Sequence, residues 1–114
     1  MPAPPTTQTL DDDLVEAFGM LKEAHDELLH ALSGRLDREA GVPLPWLGVL
    51  IRLARSPDGR LRMAELARDM TMSASGLTRL IDRIERAGHV RRETCPSDRR
   101  GFHAVLTDEG AEVI

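Results

Sequence analysis

Two arginines sit at a glycine-containing tip in Asp98-Arg99-Arg100-Gly101, directly before the alternating run Phe102-His103-Ala104-Val105-Leu106. That is the composition of a β-wing offering cations to a phosphate backbone. An arginine at such a tip can enter a narrow, electronegative minor groove without any base-specific hydrogen bond. Just upstream, residues 63 to 87 read as two short helices around a tight turn, and Ser73, Ser75, Gly76 and Thr78 open the second. Short side chains there let the backbone come close to a major groove, and the helix dipole favours phosphate. Arg79 is long enough to reach a guanine edge, and Arg83 lies one turn on, on the same face. Small hydroxyl residues are also helix caps, so Ser73 is read as a cap, a contact or both. A helix-turn-helix followed by a basic hairpin implies binding to double-stranded DNA.

The formal net charge of −4 runs against that reading until it is resolved along the chain. Residues 1 to 50 hold nine acids against Lys22, Arg35 and Arg38, whereas residues 51 to 104 hold twelve arginines against seven acids. The basic half is the part that reads as helix-turn-helix and wing. Every cation there is arginine, whose planar fork suits bidentate contacts to phosphate or guanine. The alternative is a winged-helix module that docks a partner protein without binding DNA; a docking wing has no need of so much arginine.

Other chemistry finds little support. The 114 residues contain no glycine-rich phosphate loop and no nucleophile elbow, so no enzyme activity and no cofactor are expected. Cys95, the single cysteine, rules out an internal disulfide and a cysteine-rich zinc site. Beside Pro96 and near the arginine pair it invites a redox reading, but an ordinary wing cysteine is the simpler one. Cys95 with His103 would form a reactive pair only through the accident of the hairpin. His25 and His30 are five residues apart, which does not put both imidazoles on one helical face, so no metal is expected. His25 on an apolar stripe reads as a core or interface histidine, or as lining a small-molecule effector pocket with Trp46. No run of about 18 apolar residues exists, and the start is proline-rich and then acidic, so neither a membrane span nor a signal peptide is expected and the protein reads as cytoplasmic.

One domain fits this length, with an aliphatic core, since only Phe18, Phe102 and Trp46 are aromatic. Met1 to Thr9 reads as a flexible tail. Asp11 to Asp13 favour a helix start, and Leu14, Phe18, Leu21, His25, Leu28, Leu32 and Leu36 then recur as one stripe to about residue 39, widened by Val15 and Leu29. Such a helix is about 40 Å long at 1.5 Å per residue, more than a small domain needs, and its surplus apolar face should meet another chain. Gly41-Val42-Pro43 stops it. A second helix carries Trp46, Val49, Leu50 and Leu53 on one face as far as the turn Ser56-Pro57-Asp58-Gly59. A short strand at 60 to 62 follows, then a helix from Met63 to Met70 and another from about Ala74 that ends at Gly88 in a left-handed cap. Strands at 89 to 94 and 102 to 106 flank a tip at 95 to 101, and Thr107 caps a final helix that has hardly begun at Ile114. The fold class is therefore mainly α with a small β-wing. Its parts are a tail (1–9), an N-terminal dimerisation helix (10–40), a winged helix-turn-helix domain (41–107) and the start of a C-terminal helix (108–114).

The order of elements, the segment Leu66-Ala67-Arg68-Asp69-Met70 through Gly88-His89-Val90-Arg91-Arg92, and the pattern Asp-x-Arg-x5-Leu-Thr-x-x-Gly met by Asp98, Arg100, Leu106, Thr107 and Gly110 resemble the MarR family of winged-helix transcriptional regulators. The resemblance covers about residue 10 to residue 114. It implies a homodimer on a pseudo-palindromic operator, usually a repressor, often released by a small, frequently phenolic ligand. It also implies that Asp98 organises the wing tip by pairing with an arginine. Family members continue through one or two long C-terminal helices that build most of the dimer interface with the first helix. This chain is shortened there, so its dimerisation is expected to be weakened or altered.

Overall fold

The computed structural model describes residues 11–96 and 98–114, with 98–100 described as backbone alone. The expected tail at 1–9 lies outside the described residues. A 29-residue helix, α1 (Asp12–Ala40), opens the described chain; Asp11 caps it by accepting from the Asp13 amide, and Gly41 in the left-handed region ends it. Helix α2 (Leu44–Ala54) follows with a proline in its first turn, and a short 3-10 turn at Pro57–Gly59 leads into strand β1 (Arg60–Arg62). Helices α3 (Met63–Asp69) and α4 (Ala74–Arg86) form the helix-turn-helix. Strands β2 (Val90–Cys95) and β3 (Asp98–Leu106) form the wing, and α5 (Asp108–Glu112) closes the described chain. The three strands form one antiparallel sheet in the order β1-β3-β2.

Local signals set most of these boundaries. At the end of α4 the Gly88 amide donates to the Glu85 carbonyl (2.9 Å) and the His89 amide to the Ile84 carbonyl (3.2 Å), with Gly88 at φ +87°. This is the left-handed cap expected there. The end of α3 is built the same way, with Thr71 at φ +54° taking the place that glycine usually holds. That cap stops α3 at Asp69, one residue before the expected Met70.

The wing strands reach further into the hairpin than expected. The β2 strand runs on to Cys95 and β3 begins at Asp98, so residues 96 and 97 alone separate them. A register shift allows this: Thr94 pairs with Phe102 but Cys95 with Asp98, so β3 advances four residues while β2 advances one. Such an irregularity breaks the two-residue alternation of side chains, and Cys95 turns inward where strict alternation from Val90 would turn it out.

Val49, Leu50 and Leu53 of α2, Leu66 of α3, Leu77, Ile81 and Ile84 of α4, Val90 and Ala104 make a closed aliphatic core. Helix α1 contributes little to it. Leu36 alone of its stripe is buried, while Leu14, Phe18, Leu21 and Leu28 are each about two-thirds exposed. The radius of gyration is accordingly 19.6 Å, against about 13 Å for a compact domain of this length.

Candidate nucleic-acid interface

Helix α4 exists to present one face. Leu77, Leu80, Ile81 and Ile84 sink into the core, which leaves Ser75, Arg79, Arg83 and Arg86 on the opposite side, exposed. Ser73 caps the helix by accepting from the Gly76 amide at 3.0 Å, and its hydroxyl lies 3.4 Å from that of Ser75. Gly76 has little room: an added Cβ would come within 3.0 Å of the Ser73 hydroxyl. The Thr78 hydroxyl turns back to the Ala74 carbonyl at 2.9 Å. Ser73 and Thr78 thus hold the helix entry in shape, and the exposed long cations follow directly after it.

The arginines of the basic half divide into two kinds. Arg60 reaches Glu93 at 2.9 Å, Arg91 reaches the same carboxylate at 3.0 Å, and Arg92 binds Asp82 on α4. These arginines already have anionic partners within the fold. Arg79, Arg83 and Arg86 make no ion pair among the described residues. Sequence reasoning counted all twelve alike, because pairing across 10 or 33 residues leaves no local signal. The Arg91 hydrogen bond, helped by the nearby charge of Arg60, holds the Glu93 carboxyl below its ordinary range despite some desolvation.

At the wing, Asp98, Arg99 and Arg100 lie in β3 as backbone, and the pairing expected of the Asp98 side chain lies outside the described residues. The other signature positions are structural. The Thr107 hydroxyl accepts from the Gly110 amide (3.0 Å) and donates to the Gly88 carbonyl (2.7 Å), while the Thr107 amide donates to the His89 carbonyl (3.2 Å). Only glycine fits at position 110, where a Cβ would stand 2.1 Å from the His89 carbonyl oxygen. The Leu-Thr-x-x-Gly run thus ties the end of the wing to the end of α4, and Leu106 packs against the core.

Three further residues sit as follows. The Cys95 thiol is 3% exposed, and its sulfur is 3.2 Å from His103 Nδ1, so the hairpin does bring that pair together. Cys95 lines a cavity of about 340 Å³ between the wing and the start of α4, with Met63, Leu77, Thr78, Arg92 and Phe102. His25 is exposed midway along α1, 3.7 Å from Asp26. Trp46 packs edge-on against His89, ring centroids 6.3 Å apart. His25 lies about 16 Å up the helix from Leu36, where α1 meets the body, and the cavity at the α1–α2 junction is lined by His30, Asp37, Arg38 and Pro43 rather than by His25 or Trp46. No three metal-ligating side chains gather among the described residues, and no described helix is long and apolar enough to cross a membrane.

A sequence model of the MarR family matches residues 40–101, more than half of the chain and the whole helix-turn-helix. The chain belongs to the MarR family. Among solved structures it is similar to Sco3205, a MarR family transcriptional regulator from Streptomyces coelicolor determined in complex with DNA, at 44% identity and a TM-score of 0.79 over 91% of this chain. It is also similar to AbsC, another MarR family regulator from that organism, at 38% identity and a TM-score of 0.79, covering 91% of this chain and 70% of AbsC. The HTH-type transcriptional regulator YfiV of Bacillus subtilis is 33% identical over 71 residues, 62% of this chain. The chain spans 65% of the length of Sco3205 and 43% of that of YfiV. MarR proteins regulate transcription rather than catalyse reactions, and the winged helix described above is their fold.

Proposed function

We propose that this MarR-family chain is a sequence-specific, double-stranded DNA-binding repressor that acts as a homodimer on a pseudo-palindromic operator. The observation that carries the reading is the division of the arginines: those on the outer face of α4 make no ion pair among the described residues, while neighbouring ones do. Unpaired cations on a helix opened by small residues suit a major groove, and Arg79 and Arg83 are assigned to base edges and phosphate there. Ser73, Ser75, Gly76 and Thr78 form the close approach, and Arg99 and Arg100 are assigned to the flanking minor groove, with Asp98 organising the segment that carries them. The solved complex of Sco3205 with DNA supports DNA as the partner by similarity. Dimerisation is assigned to the exposed apolar face of α1. Release by a small phenolic ligand completes the proposal.

Selection of bound sequences from a random duplex pool tests it. The expected result is enrichment of two inverted half-sites spaced by about one helical turn. Recovery of an unenriched pool, or of no DNA at low salt, favours the protein-docking module instead.

A further inference from the structure

One side chain of the wing strand makes several polar contacts with α4. Arg92, on β2, donates from Nη2 to the Asp82 carboxylate and to the Thr78 carbonyl oxygen (3.4 Å), and its Nε lies 3.9 Å from Glu85 Oε1. Its own backbone amide donates to Glu85 Oε2 at 3.2 Å. Thr78, Asp82 and Glu85 follow one another at steps of four and three, so they form one stripe along α4. Arg79, Arg83 and Arg86 form the neighbouring stripe, one residue and about 100° further round. One stripe is therefore gripped by the wing strand, while the next makes no ion pair among the described residues.

The core beneath α4 is aliphatic, and apolar contact has no preferred direction. The Arg92 contacts do have one, because one Nη2 donates to both the Asp82 carboxylate and the Thr78 carbonyl oxygen. With its side chain 26% exposed, Arg92 is largely withdrawn from water and directs its charge at two acids of α4 rather than outward.

We propose that Arg92 is a positioning residue for DNA reading: it fixes the roll of α4 against the wing strand, so that Arg79, Arg83 and the wing tip meet one duplex together. This rests on the DNA-binding reading above. A small roll of α4 would disturb the core little yet carry the tips of Arg79 and Arg83, which lie furthest from the helix axis, off the base edges. Specificity would then fall before stability or bulk charge attraction does.

The test measures affinity for a duplex selected by the wild-type chain and for a scrambled duplex, across a salt series. Wild type is compared with Arg92→Ala, Arg92→Lys and Asp82→Asn, each checked for a cooperative thermal transition. The expected result is a loss of about tenfold or more on the selected duplex for Arg92→Ala, the scale of one lost bidentate base contact. Scrambled-duplex binding should change by no more than about twofold, with the salt slope kept. Arg92→Lys, which keeps the charge but not the fork, should resemble Arg92→Ala. Asp82→Asn should lower the specificity ratio in the same direction, and it decides the matter if Arg92→Ala fails to fold. An equal loss on both duplexes with a slope smaller by about 0.9 would make Arg92 a phosphate contact and overturn the proposal. So would an unchanged ratio in folded variants. Absence of binding by the wild-type chain would overturn the DNA reading, and this proposal with it.

Discussion

Helix α1 and the winged body are opposites in charge and in packing. Residues 1 to 50 hold nine of the nineteen acids and three of the fifteen cations, while the helices and wing from residue 51 hold the other twelve cations. The body closes its own core, whereas α1 leaves Leu14, Phe18, Met20, Leu21 and Leu28 in water. One region is complete as it stands and presents cations. The other is incomplete and presents leucines. On the proposed reading, repulsion between its acids and phosphate would keep α1 off DNA, so one chain could hold an association surface and a DNA surface without either occupying the other.

The largest expected contrast is in stability. Ile81→Ala opens a cavity in the closed core and should cost about 2–5 kcal/mol in a urea melt. Leu21→Ala, at a side chain 70% exposed, should change the folding free energy of the chain by no more than about 0.5 kcal/mol. Its effect belongs in sedimentation at micromolar concentration, as weaker self-association. A large loss of stability without any change in association would show that α1 is core rather than interface.

Next comes the ionic contrast. Arg83→Ala or Arg100→Ala should each flatten the salt dependence of DNA binding by a slope of about 0.9 per chain. Arg35→Ala, on α1 and already bonded to Glu39 at 3.1 Å, should leave that slope unchanged. Equal effects in the two regions would erase the distinction between them.

The joint between wing, α4 and α5 gives a smaller effect. Thr107→Ala removes both the cap of α5 and the bond to Gly88, and should cost about 1 kcal/mol in thermal or urea unfolding. A neutral outcome would mean that Gly110 packing alone holds the joint.

The smallest effect is electrostatic. Because the Arg91 hydrogen bond lowers the Glu93 pKa, the pair favours folding above the ordinary glutamate range and loses that contribution as pH falls through the lowered value. The stability difference between wild type and Glu93→Gln should therefore shrink on acidification below about pH 4.5. A difference that is flat with pH would mean the exposed pair contributes nothing, as many surface pairs do.

Much of this fold was legible because its boundaries rest on local chemistry. Gly88, Ser73, Thr107 and the proline that opens α2 act through neighbours a few residues away, and each sits where the sequence puts it. Two things were not legible. A register shift near Thr94 carries Cys95 inward, and no residue type in the strand announces it. The partners of Arg60 and Arg92 lie 33 and 10 residues away, so only the folded sheet reveals which arginines are already engaged. The one sequence trace of this was the stripe of Thr78, Asp82 and Glu85, whose two acids sit beside the exposed cations of a basic helix. Acids there are unfavourable next to phosphate unless something within the fold neutralises them.

The most direct test is a set of duplexes carrying single base changes across one selected half-site, bound in parallel by wild type and Arg79→Ala. Wild type should lose about 1–3 kcal/mol at the position that Arg79 reads, and Arg79→Ala should lose that preference at that position while keeping the others. If Arg79→Ala instead weakens every duplex equally and keeps every preference, α4 holds phosphate rather than reading bases, and the account of this helix is wrong.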